Sequence, residues 1–181
     1  MIFKELSIPG VWVIEPELFL DQRGTFRRSF CEAEFNSHGL DSTCSQGNIS
    51  ENLKSHTLRG FHYQLPPFGE AKTLTCLTGS IFDIVLDLRE GSPTFQKWIS
   101  LNLDCESRVS LHIPSGCANA WMTTSDDTIV HYYMSTPFAP DSYSGIRYND
   151  PFFNFNWPSL PKYISDKDLA IPDYAYSRSS K

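Results

Sequence analysis

The stretch Ile81-Phe82-Asp83-Ile84-Val85-Leu86-Asp87-Leu88 sets Phe82, Ile84, Leu86 and Leu88 on one face and Asp83, Val85 and Asp87 on the other. That period of two belongs to a β-strand with one fully apolar face and one carrying carboxylates. Similar runs lie at 11–14, 72–77, 98–103, 109–113 and 128–134. Turn signals separate them: Pro9-Gly10, Thr78-Gly79, Glu90-Gly91-Ser92-Pro93, Pro114-Ser115-Gly116 and Ser125-Asp126-Asp127. Many short strands at this spacing predict an all-β sandwich or barrel. Only Cys31 to His38, closed by Gly39, reads as a helix, and a second short one is expected near Asp166 to Ala170. There is no internal repeat, low-complexity block or linker. The 181 residues are read as one domain, 1–181, with a loosely held polar tail over 172–181.

Composition narrows the classes of function. With 40% hydrophobic and 14% aromatic residues the chain is globular. A net charge of −6 argues against general nucleic-acid binding, so an anionic ligand has to be met by a local cluster of cations. The five cysteines are odd in number and lack C-x-x-C spacing, which favours reduced thiols over a disulfide framework or a zinc site. The start of the chain lacks a signal-like apolar region and no run is long enough to span a membrane. The expectation is a cytoplasmic protein with no membrane partner.

Chemistry concentrates in Leu58-Arg59-Gly60-Phe61-His62-Tyr63-Gln64-Leu65-Pro66-Pro67, followed by Lys72. One histidine and two cations gather around what reads as a glycine turn. Histidine suits proton transfer near neutral pH, and arginine and lysine suit a bound anion or a developing oxyanion. The plain alternative is a loop histidine flanked by solvated charges. The five histidines form no H-x-H or H-x-x-x-H pair, so no metal is expected, and His112 and His131 read as structural. No G-x-S-x-G, P-loop or G-x-G-x-x-G is present. Proton transfer remains. His62 would need a carboxylate to orient it, and Asp83, Asp87, Asp166 and Asp168 are all available. Tyr132 and Tyr133 sit on one alternating strand and face opposite ways, so one can face a cavity; the residues alone do not choose between them.

A longer series of blocks carries a family likeness. Asp21-Gln22-Arg23-Gly24-Thr25-Phe26, Gln46-Gly47-Asn48, the His62 segment with Lys72, and Phe82 to Arg89 occur in that order. Gly91 to Phe95, Ile113 to Gly116, Gly145 to Pro151, Asn156-Trp157-Pro158 and Ile164 to Asp168 follow. The series resembles the dTDP-4-dehydrorhamnose 3,5-epimerase family over nearly the whole chain. The resemblance implies a cupin-type jelly-roll β-sandwich with a few short peripheral helices, a homodimer, no metal and no cofactor. It also implies a nucleotide-diphosphate-linked 4-keto-6-deoxy sugar as substrate. By position, His62 resembles the general base, Asp168 its orienting partner and Tyr132 the acid. Lys72 and Arg59 would stabilise the enolate oxygen or position the sugar. Arg23, donated by a second subunit, would hold the nucleotide with Phe26, Gln46, Asn48 and Lys167.

Three positions depart from the family pattern. Asn119 stands where the family has histidine in Gly116-Cys117-Ala118-Asn119, Arg28 where it has glutamate, and Tyr143 where an acidic residue is common. Asn119 can still donate a hydrogen bond to the keto oxygen but cannot carry a proton charge. These changes suggest an altered nucleotide preference, or inversion of C3 only or C5 only. A 3,4-ketoisomerase and a non-catalytic sugar-nucleotide binding module are the remaining alternatives.

Overall fold

The computed structural model describes residues 1–174. Two sheets lie face to face. The six-stranded sheet runs in the order β1 (Ile2–Glu5), β2 (Trp12–Glu15), β10 (Ser110–Ile113), β7 (Lys72–Thr78), β12 (Thr128–Met134), β5 (Gln46–Asn52). The five-stranded sheet runs β13 (Tyr143–Gly145), β6 (Leu58–Gln64), β11 (Cys117–Thr123), β8 (Ser80–Asp87), β9 (Trp98–Asp104). Pairing within both is antiparallel. A separate hairpin joins β3 (Leu18–Asp21) to β4 (Gly24–Arg27). With two short helices, α1 (Glu32–Ser37) and α2 (Asp166–Leu169), this is the sandwich that the strand pattern predicted, in the jelly-roll form that the family resemblance implied. Among the described residues no helix is long and apolar enough to cross a membrane.

Strand β8 decides how the layers are used. Ile81 and Val85 point into the space between the sheets, packing with Leu74, Leu111, Val130 and Trp121. By strand alternation Asp83 and Asp87 share that inner face. On the apolar face, which points outward, Ile84 and Leu86 are fully buried and Phe82 and Leu88 partly buried beneath a layer that includes Phe153, Phe155 and Trp157. Segment 146–157 is therefore a cover over the outside of the five-stranded sheet. On the other sheet, α1 packs Phe35 against Ile14 and Leu40. Gly39 follows α1 with φ +70°, the left-handed conformation expected of a helix stop.

Three expectations change. The segment around Gly60 is a strand, not a turn. At Gly60 (φ +115°) an added Cβ would lie 2.5 Å from the Ala120 Cα, so only glycine lets β6 and β11 come this close. Strands β5 and β11 were not legible as strands, because polar residues in one and small residues in the other blur the alternation. Residues 172–174 of the supposed loose tail are held: Asp173 pairs with Arg147, and the Tyr174 N–H donates to Asp150 at 2.6 Å. Residues 175–181 lie outside the described residues.

Because its outer face is covered, β8 responds to truncation on both sides. Ile84→Ala is expected to cost about 2–5 kcal/mol, as at a buried core site. A solvated strand face would instead give a change within about 0.5 kcal/mol. The shift of the urea midpoint at unchanged slope distinguishes the two.

Candidate active site

At the end of the sandwich where β5, β12 and β7 face β13, β6 and β11, the sheets enclose a cavity of about 960 Å³. His62, Arg59, Asn119 and Tyr143 line it from the five-stranded sheet. Lys72, Tyr132, Gln46 and Asn48 line it from the six-stranded sheet. Lys167 and Asp168 close it from α2.

His62 sits on β6 opposite Asn119 of β11 and Gly145 of β13. Its Nε2 is 2.7 Å from Asp168 Oδ1. Asp168 is positioned locally by a helix cap, in which its N–H donates to the Ser165 hydroxyl at 3.1 Å. Burial works to raise the Asp168 pKa. The hydrogen bond and charge of His62, with donors from Ser165 and Gly60, outweigh burial and hold it below the ordinary 3.8. Of the four candidate carboxylates, only Asp168 meets His62. Asp87 is tied to Arg89, Ser92 and Thr94, Asp83 faces Asn119, and Asp166 is exposed at the start of α2.

Lys72 is nearly enclosed. Its ammonium donates to the His62 carbonyl at 2.8 Å and to Asn119 Oδ1 at 3.4 Å, and pairs with Glu70 Oε1 at 3.1 Å. Arg59 donates to Asn52 Oδ1 at 2.9 Å and lies 5.8 Å from the centroid of the Trp121 ring. Tyr132 lines the cavity, whereas Tyr133 donates its hydroxyl to the Ser29 carbonyl at 3.2 Å; strand alternation separates the two as expected. Burial raises the Tyr132 pKa, partly countered by Arg59, so its hydroxyl keeps its proton. The Tyr143 ring packs against His62 and carries the Lys167 ammonium 3.8 Å from its centroid.

Three residues expected at the site lie outside this cavity within the chain. Arg23 and Phe26 are on the exposed hairpin, where Arg23 pairs with Asp21. Arg28 pairs with Glu34 at 2.6 Å and borders a separate small recess. Glu70 and Phe138 escaped the sequence reading, and Asp83, expected there only as a possible partner of His62, meets Asn119 instead. Glu70 stands two residues before Lys72 on the way into β7, so spacing carried its signal. Nothing in the sequence pattern singled out Phe138, which lines the cavity and packs its ring against Tyr143. His112 is buried, with its Nδ1 2.8 Å from the Thr73 hydroxyl, and fits the structural role expected of it. Among the described residues no group of three or more His, Cys, Asp or Glu could hold a metal ion.

Known proteins share this fold. The dTDP-4-dehydrorhamnose 3,5-epimerase of Sinorhizobium fredii is 38% identical over 173 residues, covering 95% of this chain and 89% of that protein. A crystal structure of the Bacillus anthracis dTDP-4-dehydrorhamnose 3,5-epimerase with TDP and PPi bound superposes with a TM-score of 0.92 at 31% identity, covering 96% and 99% of the two chains. A 3'-monoepimerase from Streptomyces bikiniensis, in complex with dTDP-quinovose, gives a TM-score of 0.86 at 31% identity, covering 93% and 85%. Fold and relatives together define an isomerase built on a jelly roll. The sequence model of the dTDP-4-dehydrorhamnose 3,5-epimerases matches residues 5–175, and the chain belongs to that family.

The depressed Asp168 pKa has a signed consequence. A carboxylate held below its ordinary value stabilises the fold fully above that value, and the contribution is lost as pH falls through the folded pKa. The stability gap between wild type and Asp168→Asn is therefore expected to be full above pH 3.8 and to close below it. Urea titrations at a series of pH values check this.

Proposed function

We propose that the chain epimerises a dTDP-linked 4-keto-6-deoxy sugar at C3, C5 or both, within one domain and with every proton-transfer group supplied by the protein. The observation that carries this reading is the placement of His62 and Tyr132 on opposite sheets, either side of one cavity. His62 donates Nε2–H to Asp168, which leaves the Nδ1 lone pair to take a proton. The C–H bond next to the C4 carbonyl breaks, its electron pair moves to O4, and an enolate forms. Lys72 and Arg59 lie near enough to offset that charge in a site partly shielded from water. Tyr132 then gives its proton to the opposite face of the carbon. His62 then releases its proton to solvent and the Tyr132 phenolate takes one up, which restores both groups. Gln46, Asn48, Lys167 and Tyr143 serve the nucleotide end.

Single-centre inversion is the second reading. Asn119 favours it, because its amide is engaged by Asp83 and Lys72 where the family has an ionisable histidine. A turnover assay in D₂O over dTDP-, CDP- and GDP-linked 4-keto sugars separates the readings. Label is expected at C3, C5 or both, with the ketone remaining at C4. His62→Asn is expected to lower exchange by about a hundredfold or more, and Tyr132→Phe to slow inversion more than exchange. A ketone moved to C3 would indicate the ketoisomerase. Tight binding with no exchange on any sugar would sink the enzyme reading.

The reading also uses a homodimer. The β3–β4 hairpin exposes Leu20 at 74% and Phe26 at 70%, and β5 leaves a free sheet edge beside the cavity with Ile49 exposed. A second copy would cover these residues and deliver Arg23 to the nucleotide. Leu20→Asp with Phe26→Asp is expected to shift the light-scattering mass to a monomer. Arg23→Ala is expected to raise KM about tenfold, a loss of about 1.4 kcal/mol. A monomeric wild type would remove this part of the reading.

A further inference from the structure

Asp83 is a buried carboxyl that the reaction described above does not use. It is 0% exposed, on the inner face of β8. One oxygen, Oδ2, accepts from Asn119 Nδ2 at 3.2 Å. The other, Oδ1, has no hydrogen-bond partner among the described residues. A native buried polar atom left in this state calls for a physical explanation.

An ionised carboxylate fits the position badly. Its one bonded neighbour is a neutral amide, and burying an unpaired charge costs far more than burying a neutral group. The nearby cation does not pair with it. All three hydrogens of the Lys72 ammonium have acceptors, in the His62 carbonyl, Glu70 and Asn119 Oδ1. Lys72 and, behind it, Glu70 are the charged groups reaching this part of the inner face, since Asp87 is consumed by Arg89, Ser92 and Thr94. Burial drives the Asp83 pKa well above the carboxylate range, against the smaller pull of Asn119 and Lys72.

A protonated carboxyl has one O–H donor besides its acceptor capacity, and an asparagine amide presents oxygen on one side and NH₂ on the other. Two arrangements are then available. In one, as in this structure, Asn119 donates to Asp83 Oδ2 and accepts from Lys72, and an O–H on Oδ1 has no acceptor among the described residues. In the other the amide turns over: the Asp83 O–H donates to Asn119 Oδ1, and the NH₂ group faces the cavity. The 3.4 Å contact from Lys72 to Asn119 is the longest of the three made by the ammonium, so it is the one a substrate oxygen displaces most easily.

We propose that Asp83 is a positioning residue that acts as a neutral carboxyl, holding the Asn119 amide so that Lys72 is occupied in the empty site and an N–H joins Lys72 on the developing oxyanion when substrate enters. The proposal rests on the epimerase reading for its last step only. It assigns a role to a pair, Asp83 and Asn119, whose second member is where this chain departs from its family.

The test has an arm that needs no turnover. At pH 7, isotope-edited infrared spectra of the wild type are expected to contain a protonated-carboxyl C=O band that is missing from Asp83→Asn. Absence of that band means that Asp83 is ionised and overturns the proposal whatever the substrate. The second arm is kinetic. Asp83→Leu, branched like aspartate at Cγ but bulkier and unable to hydrogen-bond, is expected to lower kcat for solvent deuterium exchange by about ten- to a hundredfold, the scale of a misplaced oxyanion donor, with little change in KM. Asp83→Asn, which can donate and accept as a protonated carboxyl does, is expected to recover most of that loss and to keep the wild-type pH profile. Asn119→Ala is expected to lower kcat similarly, and the double variant Asp83→Leu/Asn119→Ala to lose no more than either alone. Should Asp83→Leu not fold, Asp83→Asn and Asn119→Ala still decide: an Asp83→Asn enzyme as impaired as Asn119→Ala overturns the positioning role. Absence of exchange by the wild type would count against the epimerase reading and leave the infrared result standing.

Discussion

The outward face of the five-stranded sheet is apolar, and covering it organises the rest of the molecule. Phe61, Ile84, Leu86, Ala118 and Ala120 are fully buried, yet they point away from the second sheet. Segment 146–157 supplies the missing layer through Ile146, Phe153, Phe155 and Trp157. Its path is pinned by indole donors, Trp98 Nε1 to the Phe153 carbonyl at 3.0 Å and Trp157 Nε1 to the Tyr148 carbonyl at 2.8 Å. Having crossed the sheet, the chain returns beside β6, where the Leu58 N–H donates to the Tyr163 carbonyl at 2.8 Å. Ser165 then starts α2, and Asp168 arrives at His62. Hydrophobic burial on the outside of the sandwich thus assembles the polar pair on the inside.

Two aspartates on one strand show how local partners decide charge. Asp83 and Asp87 share the inner face of β8 and both are fully buried. Asp87 collects a bidentate Arg89 and the hydroxyls of Ser92 and Thr94, and its pKa is driven far down despite the opposing effect of burial. Asp83 has one amide, and burial drives its pKa up. Neither is exposed to solvent, but Asp83 lies deeper than Asp87, so the stronger burial of Asp83 and the donors and cation around Asp87 together make the difference. The same logic runs through the cavity. Lys72 is balanced by Glu70, His62 is held by Asp168, and Arg59 rests on neutral Asn52, with no direct carboxylate partner among the described residues.

Legibility in the sequence followed the physics of each segment. Strands with clean alternation, β8 and β12 above all, could be read because burial of one face imposes a period of two. Strand β6 could not, because Gly60 and the adjacent prolines imitate a turn; the glycine is there for the close approach of Ala120. The polar inner positions of β5, Gln46, Asn48 and Ser50, border a cavity and not a core, so they erase the apolar signal. Among the site residues, His62, Lys72 and the tyrosine pair stood out by residue type. The partner of His62 did not, since four aspartates were equally available and the choice depends on a contact between residues 106 apart in the chain.

By itself, the sequence determined the all-β class, the strand positions where one face is buried, the opposed facing of Tyr132 and Tyr133, and a family likeness over nearly the whole chain. These follow from local periodicity and from ordered blocks of residues, which need no knowledge of distant neighbours. Tertiary structure alone decided which face of β8 is inward and that Asp83 is left, among the described residues, with an unpaired oxygen beside Asn119, and it brought to His62 the aspartate that only the family likeness had singled out. Each depends on where a remote segment lies once apolar surface has been removed from water. Periodicity along a strand shows that its two faces differ, but not what will cover them.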